Sequence, residues 1–492
     1  VTKEEAGMTG DVEGNAEGDV TAVIADFAGS LPTAEVPDAV IERAKIHILD
    51  SLGLALAGSV SDAARIVRED IVAQGLAGQG LGGQGSAGRG LAGQGSVIIG
   101  TALSAPPRFA AFANATAIHA DNFDDTTPQV RADRTGGIHA SGAVLPVVLA
   151  LGQSCGACGR DILKAYLAGV EVASRLNHTI AARHYGDGFH TTGTMNVFGA
   201  AIAAAVLKRL GRAETVNAIG IAASQASGIR RNFGTMAEVL HPAQAAQAGI
   251  TAVDLAARGL TAAGDALHGP VGYFAAAAGG YDATEIVGKL GTPWVFEDPG
   301  VWIKPHPNGA LTHPGAGCLL ALLTEHDVAS EQIDSISVRT NDRVLKTLIH
   351  HDPADGMQAK FSMEFTLAIV ASDRRAGLGE FTTATLNRSD VREMMRKLDY
   401  TAYETVGEGY TNVTTLIDVA LQDGQILSGR ADHARGSTKS PMGFDEVAEK
   451  FRGCAAYSGH PEDRVETIEK AVREFDGLES VEGLLNALVS KG

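Results

Sequence analysis

Within 21 positions the chain carries His119, Asp121, Asp124, Asp125, Thr126 and His139. Imidazoles exchange protons near neutral pH, and neighbouring carboxylates can fix their tautomer and orientation. Such a set suits general acid–base chemistry at a small polar substrate. The plainer alternative is a capped, solvated helix end with two incidental histidines. Three further places could add to the set. His190 stands just before an Ala-rich helical run, where free backbone N–H groups favour anions. Arg230 and Arg231 close another helix and could hold a carboxylate or simply be solvated. Lys304 lies in a strip of apolar residues and prolines (Val-Trp-Ile-Lys-Pro-His-Pro). Desolvation there would lower its pKa and suit proton transfer or carboxylate binding, unless the side chain only snorkels to water.

Other motifs weaken on inspection. Asp121-x-x-Asp124-Asp125 has the form of a magnesium–diphosphate site. No second ligand set accompanies it, and aromatics are only 5% of the chain. Gly80-x-Gly82-x-x-Gly85 lies inside a Gly-Gln-Gly repeat, without the strand and helix a dinucleotide fold requires. Gly152-x-Ser154-x-Gly156 lacks the parallel strands of a nucleophile elbow. Cys155-x-x-Cys158 has no second Cys/His pair and reads as a turn between helices.

These groups need elements to hold them. The chain has 492 residues, 45% hydrophobic, which predicts at least two domains. Sixty glycines and few aromatics favour closely packed helices. Helical periodicity predicts helices near 36–58, 107–121, 140–153, 160–182, 194–209, 213–228 and 242–258. After about residue 290 prolines thicken. Alternation then predicts strands at 333–340, 412–421 and 425–429, the last two around Asp423-Gly424. Residues 96–100 are a further short strand candidate. Helical text returns from 444. The expected fold is mainly α: a large all-helical domain (19–297 with 438–492) and a smaller α/β domain (298–437) inserted late. Residues 1–18 read as a disordered tail, and 74–95 as a Gly-rich, low-complexity insertion.

The net charge of −18 argues against nucleic acid and anionic membrane surfaces as partners. No apolar run reaches the ~18 residues of a membrane span. Four scattered cysteines and an acidic N-terminus without a signal pattern suggest a cytoplasmic setting.

The blocks Asn114-Ala-Thr-Ala-Ile-His-Ala-Asp-Asn-Phe-Asp-Asp-Thr126, His139-Ala-Ser-Gly-Ala-Val-Leu-Pro146, Gly188-Phe-His190, Asn232-Phe-Gly-Thr-Met236 and Lys360-Phe-Ser-Met-Glu364 resemble, in order, those of the MmgE/PrpD family. The resemblance covers nearly the whole chain from about residue 20. It implies a helical domain built from both chain ends, an inserted α/β lid domain and a homodimer, with no metal and no organic cofactor. It implies a small carboxylic acid as substrate, dehydrated, decarboxylated or epimerised. Thr126, His139, His190 and Lys304 fall on positions lining the family's site. Two positions depart. Asn122 stands where many members have Asp, and Glu238 where many have Lys.

The resulting expectation is a lyase or isomerase that moves a proton α to a carboxylate or carbonyl. His139, Lys304 and Thr126 are the catalytic candidates. Asn122, His190, Glu238, Arg131, Arg231 and His119 are the substrate-binding ones. The departures disfavour a citrate-like tricarboxylate, and Arg131, Arg134 or Arg231 could restore a cationic contact. The alternatives are a cis-aconitate-type decarboxylase and a homologue that keeps the fold without the chemistry.

Overall fold

The structure is a computed structural model and describes residues 19–79, 95–131 and 133–490. The expected tail at 1–18 and most of the Gly-Gln-Gly segment lie outside the described residues. Among the described residues the protein is mainly α, as expected: 53% helix against 9% strand. No helix among the described residues is long and apolar enough to cross a membrane.

Two separate apolar cores organise it. The first draws on residues 20–303 and again on 442–488. At its centre is the helix Asn196–Leu207 (NVFGAAIAAAVL), apolar on every face and buried along nearly its whole length. The helices Gly159–Thr179 and Leu240–Ala256 pack on it closely. Small residues make this possible. A Cβ at Gly199 would sit 2.6 Å from the carbonyl oxygen of Gly169, and one at Gly249 would sit 2.5 Å from the Cβ of Ala200. The far end of the chain returns through the helix Phe444–Tyr457, which packs on the helix Asp38–Gly58.

The second core, within 316–427, lies beneath a four-stranded sheet. The strand order is Leu398–Ala402, Ile333–Thr340, Thr415–Leu421, Ile426–Ala431. The first pair is parallel and the other two antiparallel. Thr415–Leu421 alternates buried and half-buried residues, as a strand with one covered face must. The helices His313–Glu325 and Met363–Asp373 pack against each other, and the first also meets the sheet.

Several boundaries differ from expectation. The helix expected at 194–209 is preceded by a separate turn, Thr191–Thr194. The helix expected at 213–228 stops at Ala223. The segment 96–100 contributes only Ser96–Val97, paired with Leu103–Ala105. The strand Leu398–Ala402 was not expected. Its sequence (LDYTA) has no apolar alternation, because the strand lies at the sheet edge with no residue fully buried.

Candidate active site

The helix Pro107–His119 ends at the first candidate side chain. Three residues on, Asn122 adopts φ 54°, a left-handed conformation that asparagine tolerates better than most residues. This turn sends 123–125 back into the interior, where Asp124 and Asp125 are buried. Thr126 then exchanges two backbone hydrogen bonds with Trp302 (2.9 and 2.8 Å), which places the Lys304 segment alongside.

The three carboxylates do not converge. Asp121 lies 3.5 Å from the Lys360 ammonium. Asp124 Oδ2 accepts from His119 Nδ1 at 2.7 Å. Asp125 accepts from the Ser141 hydroxyl and, at 3.3 Å, from the Ser141 N–H. It therefore holds the start of the helix Ser141–Cys155 rather than facing the site. Among the described residues, no group of three or more His, Cys, Asp or Glu is arranged to hold a metal ion.

The histidines do converge. The His119 ring lies 5.2 Å from that of His139 and 6.2 Å from that of His190. His190 and His241 share a hydrogen bond between their Nδ1 atoms at 2.8 Å. His139 Nδ1 is 2.5 Å from the Asp125 carbonyl oxygen, which can only accept. The proton therefore sits on Nδ1, and Nε2 of a neutral His139 keeps its lone pair. Burial pushes the His139 pKa down to about 4, against the pull of Asp124. The opposite holds for His119. Burial disfavours its charge, but the contact with Asp124 prevails and raises its pKa. Burial also opposes ionisation of Asp124, but His119, His139 and Lys304 hold its carboxyl well below the usual range. His190 is held well below the ordinary histidine value, chiefly by burial.

Lys304 donates to both the backbone carbonyl and the side-chain oxygen of Asn122, each at 2.8 Å. Burial brings its pKa down to about 8, with Asp124 opposing and Lys450 adding to the fall. At neutral pH the site thus offers a neutral imidazole base, a lysine close to its own pKa, and a histidine, His119, whose proton is favoured by the Asp124 carboxylate. This is the separation of proton affinities that acid–base chemistry needs. Beside Lys304 lies a cavity of about 70 Å³. Thr126, Lys304, His313, Val413 and His433 are among the residues that line it. A single water needs only about 10–15 Å³ of such space, so a carboxylate-sized group fits.

The remaining candidates divide. Glu238 accepts the Gly234 N–H at 2.7 Å and acts electrostatically on both His119 and Lys304. Arg131 and Arg134 are instead engaged by Asp133 and Asp282, with Arg131 Nη1 at 2.8 Å from Asp282. They supply no cation to the histidine cluster. Arg231 is exposed. Its neighbour Arg230 stacks 3.8 Å over the Tyr185 ring. Two residues that sequence reasoning passed over belong here. His241 partners His190, and its place in the first turn of the helix Leu240–Ala256 was the available signal. Lys450 donates to the Lys304 carbonyl at 2.9 Å; it sits in a charged amphipathic helix, where nothing local marks it.

Residues 22–286 match the MmgE/PrpD N-terminal domain, and residues 306–475 match the MmgE/PrpD C-terminal domain. The cis-aconitate decarboxylase of Homo sapiens is 27% identical over 481 residues, covering 95% of this chain and 94% of its own. That of Aspergillus terreus (strain NIH 2624 / FGSC A1156) is 25% identical over 502 residues, covering 97% of each.

Proposed function

The chain belongs to the MmgE/PrpD family, and from that premise we propose that it is a lyase or isomerase moving a proton at a carbon next to a carboxylate. The observation that carries this reading is the pairing, around one cluster, of a neutral His139 with a free Nε2 and a buried Lys304 with a pKa of about 8. His139 takes the proton from the α carbon. Lys304 stabilises the enolate-like anion through its positive charge or returns a proton to it. Thr126, Asn122, His190 and the His119–Asp124 pair orient the acid. Loss of a β hydroxyl gives dehydration; return of the proton to the other face gives epimerisation. The chemistry rests on side chains and uses no cofactor.

Asn122 and Glu238 bear on the substrate. Lys304 has a neutral partner in Asn122, so its charge is available to a substrate carboxylate. Glu238 adds negative charge close by and disfavours a third carboxylate. The favoured substrate is a mono- or dicarboxylate carrying a hydroxyl or amine. A second reading, decarboxylation of a cis-aconitate-like acid, has its own support: those relatives are enzymes and align with this chain over nearly their full length. We propose further that 19–297 and 438–492 form the catalytic body. Residues 298–437 would cover it as a lid, since Lys360 of this segment donates to the Asp121 carbonyl at 3.0 Å. The enzyme is proposed to work as a homodimer in the cytoplasm.

Turnover of cis-aconitate measured against a panel of hydroxy-, amino- and unsaturated mono- and dicarboxylates decides between the two readings. Preference for the smaller acids is expected. Carbon dioxide release from cis-aconitate alone would establish the second reading, and no turnover of any acid would favour a homologue without the chemistry.

A further inference from the structure

Three successive backbone carbonyls of the catalytic loop each receive a lysine ammonium from a different part of the chain. Lys360 donates to Asp121 (3.0 Å), Lys304 to Asn122 (2.8 Å) and Lys450 to Phe123 (3.0 Å). Two of these lysines also have carboxylate partners. Lys360 lies 3.5 Å from Asp121, and Lys450 lies 2.7 Å from Asp50. Lys304 has none within ion-pair distance among the described residues.

Lys450 stands out for what it joins. It projects from the helix Phe444–Tyr457 into the interior, where its side chain is 6% exposed. It donates to the Phe123 carbonyl and, at 2.9 Å, to the carbonyl of Lys304 itself, and lies within ion-pair distance of Asp50 Oδ1. Two of the three N–H donors of the ammonium are thus spent on backbone carbonyls, with Asp50 as the nearby counter-charge. The nitrogen also lies 3.7 Å from the centre of the Phe123 ring. Asp50, buried on the helix Asp38–Gly58, lies against the ammonium, which opposes the rise that burial imposes on the pKa of this carboxyl.

We propose that Lys450 is a positioning residue for the reaction. Its ammonium pins the loop bearing Asn122 and Asp124 to the segment bearing Lys304, and so sets the distance between the proton-transfer groups. This rests on the functional reading above. The same nearby positive charge disfavours the protonated form of Lys304.

The test replaces both buried charges at once with Asp50→Asn/Lys450→Met, so that neither is stranded. Lys450→Arg, which keeps the charge but displaces the donors, is studied in parallel. Once folding is verified by circular dichroism, kcat of the double variant is expected to fall by about 10- to 100-fold, the range a misplacement near 1 Å produces. KM should change far less. The alkaline limb of its kcat profile should move above 8, as Lys304 loses a neighbouring cation. Lys450→Arg should lose kcat with the limb unmoved. Wild-type kcat with an unmoved limb in the folded double variant overturns the proposal, even while the enzyme reading stands. If the wild type turns over nothing, the enzyme reading fails on its own, and amide exchange then tests the clamp. Faster exchange at 123–126 and 302–304 in the double variant supports it, and unchanged exchange overturns it.

Discussion

Lys304 rests on Asn122, its ammonium equidistant at 2.8 Å from the backbone and side-chain oxygens of one residue. From the sequence alone, Asn122 looked like a lost carboxylate. In the structure it retains two functions: the left-handed turn and the seat for the lysine. What it gives up is negative charge. A buried cation on a neutral seat stays available to an anionic substrate.

Asn122→Asp should therefore act on Lys304 before anything else. A carboxylate at this distance stabilises the ammonium, so the alkaline limb of the kcat profile should rise above 8. Affinity for carboxylates should weaken, since part of the cation's charge is then satisfied within the protein. A pH–rate series with KM determined at each point checks both.

In the proposed reaction His139 and Lys304 bracket the active pH range. His139 works deprotonated, and its pKa is about 4, so activity should appear as pH rises through about 4. Lys304 works protonated, so activity should decline as pH rises through about 8. His139→Ala and Lys304→Ala should each lower kcat by at least about 100-fold, with the corresponding limb abolished.

Glu238→Gln removes a negative charge that favours protonation of His119 and Lys304. The alkaline limb should shift below 8, and KM for dicarboxylates should fall. Glu238→Lys should go further and admit acids with an additional carboxylate. Comparing kcat/KM for di- and tricarboxylates across the three proteins measures the effect.

The His119–Asp124 pair predicts a stability profile. The Asp124 pKa is depressed in the fold, so its contribution is present above the unfolded value of about 3.9 and is lost as pH falls through the lower folded one. The His119 pKa is raised, so its contribution is present below about 6.5 and is lost as pH rises through the higher folded one. Asp124→Asn should cost roughly 3–5 kcal/mol at pH 6, the usual penalty for breaking a buried pair. The gap to the wild type should narrow at alkaline pH. Urea unfolding at several pH values is the check.

The candidate site was partly legible because much of it is local. His119, Asp124 and His139 fall within one stretch, and the apolar strip around Lys304 signals desolvation without any knowledge of the fold. The mainly α body and the strands Ile333–Thr340 and Thr415–Leu421 were legible from periodicity. What escaped depends on partners far along the chain. Arg131 is a plausible substrate ligand until Asp282, 151 residues away, is seen to hold it. Lys450 resembles any lysine on a charged helix until Asp50 and two carbonyls enclose it. His190 looks like an anion-binding group near a helix start, yet its Nδ1 faces His241.

The central claim is proton transfer by His139 at a carbon next to a carboxylate. Proton NMR in D₂O, with the wild type and His139→Ala on the same panel of small carboxylic acids, tests it most directly. The account predicts deuterium entering the α position of at least one acid, or a product formed with deuterium there, for the wild type and at least about 100-fold more slowly for the variant. Equal rates for the two proteins, or no exchange and no product from any acid, would contradict it.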